Sequence, residues 1–135
     1  MKLQNINLIN YNTTLSKYAD KRLPQKISYA ITKNMIVISN ELETYQQALK
    51  KILSNYEEYQ VKNEKGEVEN LPIGIPKVDE EHLQDYLGEI NDLLNVETEV
   101  NLHTIPEEAF DYPDNDRYDA MTATDILTLQ QILCA

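Results

Sequence analysis

Apolar residues recur at alternating steps of four and three along the stretch from Pro24 to Lys62. They are Ile31, Met35, Ile38, Leu42, Tyr45, Leu49, Ile52, Tyr56 and Tyr59. This is the a/d spacing of a heptad, and it predicts one continuous helix, about 57 Å long at 1.5 Å per residue. No glycine or proline interrupts Gln25 to Lys62. Positions off the seam carry good helix formers such as Gln46, Gln47, Lys50 and Lys51. The seam's first half is Ile, Met, Ile and Leu, whereas its second half holds Tyr45, Tyr56 and Tyr59. A tyrosine buries a large ring while its hydroxyl seeks water or a partner. The second half therefore reads either as the half-wet end of a core or as an aromatic docking surface, with Tyr45, Ile52, Tyr56 and Tyr59 as contact residues.

The shorter patterns arrange themselves around that rod. Leu8, Tyr11, Leu15 and Tyr18 suit a helix from about Asn5 to Asp20, with a strand over Lys2–Ile9 as the alternative. Lys21-Arg22 fit the negative end of its dipole, and Leu23-Pro24 turns the chain into the long helix. From Asn63 to Val78 the period is lost. Lys65-Gly66 marks a turn, Pro72 and Pro76 forbid helix, and Ile73 and Ile75 suit a short edge strand. This segment is either a hairpin or a tip on the long helix. Asp79, followed by Glu80 and Glu81, reads as an N-cap with acids in the first turn. It opens a helix to about Asn95 whose face is Leu83, Tyr86, Leu87, Ile90, Leu93 and Leu94, folded back as a helical hairpin.

Val96 to Ile105 then alternates apolar or Thr with polar residues, which predicts a one-sided strand. A lone strand leaves half its backbone unpaired, so it needs a partner from 68–75, from the N-terminus or from a second subunit. Residues 106–121 form an acidic connection with one helical turn at Glu107–Phe110. Thr122 and Asp125 stand at capping-box spacing before a last helix carrying Ile126, Leu127, Leu129, Ile132 and Leu133. The expected fold is mainly α (α+β), a single domain over residues 1–135. It has a long central helix with a helical hairpin, a short N-terminal and a short C-terminal helix, and one small β element near 96–105.

Charge sharpens the picture. Residues 1–62 hold nine Lys/Arg and five Asp/Glu, whereas residues 63–135 hold three and eighteen, and the whole chain carries −11. The basic residues concentrate at Lys17, Lys21, Arg22, Lys26 and Lys33. Either the two halves fold with complementary fields, or an acidic face meets a basic partner such as the nucleic-acid channel of an enzyme. Direct nucleic-acid binding is not expected from so small a basic patch. The longest apolar run, Met35-Ile36-Val37-Ile38, is far short of the roughly 20 residues that span a bilayer, and the N-terminus lacks a signal-peptide pattern.

Chemistry finds little purchase. Asp111, Asp114, Asp116 and Asp119 resemble a cation loop. Counted from Asp114, however, the sixth position is Asp119 rather than glycine and the twelfth is Asp125 rather than glutamate. His82 and His103 are the only imidazoles, and neither has metal-ligand spacing to another His or Cys. Cys134, the single cysteine, has no neighbouring base. Gly66, Gly74 and Gly88 are too scattered for a phosphate loop. No catalytic, cofactor-binding or metal residues are expected. Contact residues are sought at Tyr45, Ile52, Tyr56, Tyr59, Asp111, Asp114, Asp116 and Asp119.

The order of segments resembles an uncharacterised family of small bacteriophage and prophage proteins. The most specific pieces are Leu23-Pro24-Gln25-Lys26 with Tyr29, and Leu93-Leu94 through Ile105. The chain departs from that pattern at Leu71–Lys77 and in the acidic insertion around Asp111–Asp119. The resemblance implies a phage origin and a place in the bacterial host's cytoplasm or in the virion, and it carries no catalytic residues. It favours a non-enzymatic protein acting through protein–protein contacts, as a virion or assembly component, an accessory protein, or a homo-oligomer. The alternative is an acidic inhibitor of a host defence nuclease, of the anti-CRISPR or another anti-defence kind.

Overall fold

The computed structural model describes residues 1–113 and 115–134. In chain order these form strand β1 (Lys2–Gln4), helix α1 (Asn5–Tyr18), helix α2 (Gln25–Asn55), helix α3 (Glu80–Leu94), strand β2 (Glu97–Glu99) and helix α4 (Ala123–Leu133). The chain is mainly helical with a long α2 and a small sheet, as its periodicity predicts. It packs as two compact units, Met1–Leu42 with Glu97–Ala135, and Glu43–Val96.

In the first unit, Pro24 opens α2. Its carbonyl accepts from the N–H groups of Ile27 and Ser28, and the donor that proline lacks would have no partner in a first turn. The buried stripe here is Ile27, Ala30, Ile31, Asn34, Ile38 and Leu42. It begins a turn earlier than the heptad seam and leaves Met35 only half-buried, because a straight helix of 3.6 residues per turn drifts away from a 3.5 repeat. The rest of this unit's core comes from Leu8, Leu15 and Tyr18 of α1, Leu129, Ile132 and Leu133 of α4, and Val100, Ile105 and Phe110 between them. Each such aliphatic side chain contributes about 2 kcal/mol by leaving water. The expected box at α4 forms: Thr122 Oγ1 accepts from the Asp125 N–H at 3.1 Å, and Asp125 Oδ2 accepts from the Thr122 N–H at 3.0 Å. The Tyr18 hydroxyl donates to Asp125 Oδ1 at 2.8 Å and ties α1 to that cap.

Two expectations need correction in this unit. The strand predicted over Val96–Ile105 pairs only at Glu97–Glu99, antiparallel to Lys2–Gln4 with Lys2 opposite Glu99. The partner is the N-terminus, one of the three sources expected, and it is short. After Val100 donates to the Met1 carbonyl at 2.8 Å the backbone finds other partners. The N-terminal segment is correspondingly both things that its sequence offered, a strand at Lys2–Gln4 and then a helix that stops at Tyr18 rather than Asp20.

In the second unit, α2 ends at Asn55 instead of reaching Lys62. The N–H groups of Tyr56, Tyr59 and Gln60 bond three residues back, to Leu53, Tyr56 and Glu57, which tightens the chain into a 3-10 turn over Glu57–Tyr59. Beyond this turn, three backbone bonds close a ring. Val61 donates to Lys77, Lys77 to Glu69, and Glu69 back to Val61, at 2.8–2.9 Å. The segment 63–78 is thus neither a plain hairpin nor a tip. It makes two turns with glycines at positive φ, Gly66 at 79° and Gly74 at 84°, a backbone region that β-carbons disfavour. Asn63 Oδ1 secures the first by accepting from the N–H groups of Lys65 and Glu67. Asp79 caps α3 as predicted, accepting from the His82 N–H at 3.1 Å. Ile75, Val78, Tyr86 and Ile90 form this unit's core, with Leu49, Ile52 and Leu53 of α2 packed against it.

Candidate interaction surfaces

The first half of α2 has a second apolar face, opposite in purpose to its buried stripe. Tyr29, Thr32, Lys33, Ile36 and Val37 follow one another at helical steps and line a cleft of ≈ 340 Å³. Ile36 is 58% exposed and Tyr29 50% exposed. A second cleft of ≈ 650 Å³ runs along Ile36, between Asn12 and Ser16 of α1 with Ala19 just after it, and Met35 and Ser39 of α2. A third, of ≈ 420 Å³, shares Tyr29 and reaches Lys26, His103, Ile105 and Pro106. Large apolar groups left in water beside concave surfaces are the usual mark of an interaction site.

One buried polar side chain organises the far end of this surface. Asn34, fully buried, occupies a core position of α2. Its Oδ1 accepts from the His103 N–H at 2.6 Å, and its Nδ2 donates to the His103 carbonyl at 2.9 Å. A single amide reaches both groups of one residue when they point the same way, as in an extended chain. The clamp therefore fixes the backbone at His103 with a side chain, beyond the end of β2. The His103 ring meets Tyr29 edge-on with centroids 5.4 Å apart, and Lys33 Nζ stands 5.6 Å over the Tyr29 ring.

Two of the tyrosines proposed from sequence, Tyr56 and Tyr59, have ring partners within their own unit. Tyr56 contacts the Tyr86 ring at 5.1 Å and Tyr59 at 6.2 Å. Tyr59 stacks on His82 with centroids 3.6 Å apart and planes 12° from parallel. The hydrogen-bonded Glu89 carboxylate, with burial, pushes the Tyr56 hydroxyl up to about 12. Ile52 packs against the core of the same unit. Tyr45 is half-buried, and burial raises its pKa. Ile52, Tyr56 and Tyr59 thus pack at the edge of this unit's core.

The acidic insertion is likewise partly engaged. The Asp119 N–H donates to the Arg22 carbonyl at 2.7 Å, while its carboxylate accepts from the Arg22 N–H at 2.7 Å and from the guanidinium at 3.2–3.3 Å. The backbone donor first, and the guanidinium after it, hold the Asp119 carboxyl below the usual range. Arg22 Nη1 also reaches the Asp116 carbonyl at 3.3 Å. The Asp111 and Asp116 side chains face solvent, and Asp114 lies outside the described residues. Among the described residues no three His, Cys, Asp or Glu side chains come together as a metal site. The Cys134 thiol is half-buried and is pushed up by burial, then by Glu107 and Glu108.

Among the described residues no helix is long and apolar enough to cross a membrane. Comparison with protein-family models, with curated proteins and with solved structures gave no match.

Proposed function

We propose that this chain is a non-catalytic protein that works by holding another protein, with the outer face of α2 as its principal contact. The observation that carries the reading is the exposure of Tyr29 and Ile36 on one helix face, between clefts, while Ile31 and Ile38 of the same helix fill the core. Burying a side chain of that size in a partner yields about 1.5–3 kcal/mol. The resemblance to small phage proteins agrees with this role and with a place in the bacterial cytoplasm or the virion.

A second reading, an acidic inhibitor at the nucleic-acid site of a defence nuclease, draws on α3. Glu81, Asp85 and Glu89 recur there every fourth residue, all exposed, and the helix holds no Lys or Arg. Like charges at that spacing weaken a helix by a few tenths of a kcal/mol per pair, so a basic partner would relieve them.

A photo-crosslinking residue at Ile36, with one at Glu64 as control, tests the principal reading in the cells that make the chain. A discrete adduct from position 36 alone supports it; none, or the same adducts from both positions, overturns it. Light scattering at two concentrations tells whether the adduct is a second copy. The inhibitor reading instead requires binding that weakens steeply with salt and with neutralised α3 carboxylates.

A further inference from the structure

Tyr29 and Ile36 stand one above the other on α2, about two turns apart, and exposed Lys26 and Lys33 stand beside them. At about 100° per residue, both lysines fall on the flank of this ridge away from α1, whereas Met35 and Ser39 fall toward it. Lys26 accordingly lines the cleft that reaches His103 and Pro106, and Lys33 lies over the Tyr29 ring. From Gln25 to Asn40 the helix carries no acid, in a chain whose net charge is −11. Among the described residues neither ammonium has an ion-pair partner. The cations next in sequence are spent elsewhere: Arg22 pairs with Asp119, and Lys21 acts on Asp119 and Asp125. The acids around this face also belong elsewhere. Glu41 Oε2 accepts from Thr98, Glu107 and Glu108 act on Cys134, and Asp20 follows α1 on the opposite flank.

We infer that the occupant of this face is an amphipathic helix of another protein, apolar along one ridge and acidic beside it. The occupant's chemistry rests on the contact role proposed above. A helix fits because α2 offers a partner side chains only. The α2 backbone is bonded within its own helix, so an extended segment laid across it would leave N–H and C=O groups unpaired, whereas a helix satisfies its own. A helix running along α2 also repeats its apolar residues at the seven-residue step from Tyr29 to Ile36. Charge then selects the composition. Carboxylates beside the apolar ridge meet Lys26 and Lys33, while a basic rim would be repelled by them. A second copy fits worse. Two of these faces together would set Lys26 and Lys33 against the same pair with no acid between them. The acidic α3 of a second copy spends Leu83, Tyr86, Ile90 and Leu94 on its own unit's core, and Leu87 is the one large apolar residue it exposes.

The probe is acetyl-Glu-Leu-Ala-Glu-Leu-Ala-Glu-Glu-Leu-Ala-Glu-Leu-amide, added to the whole protein and followed by chemical shifts. Shifts are expected along Lys26, Tyr29, Lys33 and Ile36 and not along α3. A twin with Lys for every Glu should bind ~10-fold or more weakly. A copy with proline for its second alanine cannot form the helix and should not bind. The double variant Lys26→Glu, Lys33→Glu changes two exposed side chains, so it should keep the melting temperature and reverse the preference between the twins. The inference is overturned if the shifts fall elsewhere, if the proline copy binds as well as the parent peptide, or if the double variant keeps the original preference. A partner crosslinked at Ile36 while the protein ignores both twins would leave the contact role standing and remove this occupant. An Ile36 adduct that proves to be a second copy would do the same.

Discussion

The Asn34 side chain holds the His103 backbone at both its donor and its acceptor, at 2.6 and 2.9 Å, across 69 residues of sequence. A carboxamide at a fully buried helix position is costly unless every polar atom is satisfied, and no buried side-chain polar atom lacks a partner among the described residues. Asn34→Ala should therefore strand both backbone groups of His103 and lower stability by about 2–4 kcal/mol. A thermal melt checks this. An unchanged midpoint would mean that the clamp holds nothing in place.

Acid should loosen the protein through three aspartates. Asp79 is held below the ordinary value of 3.8 chiefly by the His82 ring, Asp119 chiefly by the Arg22 N–H, and Asp125 chiefly by the Thr122 N–H. A depressed folded value means that the unfolded chain binds the proton more readily. The stability from each is then complete above the ordinary value and is lost as pH falls through the lower, folded one. Melting temperature is expected to drop below about pH 4. The triple variant Asp79→Asn, Asp119→Asn, Asp125→Asn should start lower at neutral pH and fall less. Parallel acid limbs for the two proteins would contradict the assignment.

The tyrosine cluster of the second unit has a spectroscopic consequence. Tyr56, hydrogen-bonded to Glu89 and partly buried, ionises only near about 12. An alkaline titration followed by phenolate absorbance should show it among the last to ionise, and Glu89→Gln should bring that step down. A titration curve indifferent to Glu89→Gln would place Tyr56 outside this contact.

Local signals were readable in the sequence wherever short-range physics decides the outcome. The caps at Asp79 and Thr122, the corner at Leu23-Pro24 and the core positions Ile31, Ile38 and Leu42 all follow from spacing alone. Distant partners were not. Nothing within a turn of Tyr56 forbids helix, yet the ring of bonds among Val61, Glu69 and Lys77 takes the chain away; the eight-residue step from Gly66 to Gly74 was its one trace. Asn34 looks like a surface residue until His103 is brought to it. Arg22 and Asp119 stand 97 residues apart, so the pinning of the acidic insertion could not be read locally. The outer face of α2 did leave a sign. Met35-Ile36-Val37-Ile38 covers every side of a helix with apolar atoms, more than one buried stripe needs. The heptad seam drew attention to Tyr45, Tyr56 and Tyr59 instead, and Tyr56 and Tyr59 spend their rings within their own unit.

The central claim is that one face of α2 builds the fold and the opposite face is kept for a partner. Ile38 and Ile36 lie two residues apart, fully buried and 58% exposed. The most direct measurement is a pair of thermal melts, Ile38→Asp against Ile36→Asp. An unpaired charge at position 38 should unfold the first unit, while Ile36→Asp should stay within about 0.5 kcal/mol of the parent. Equal losses from the two substitutions would contradict the account, because Ile36 would then be part of the core.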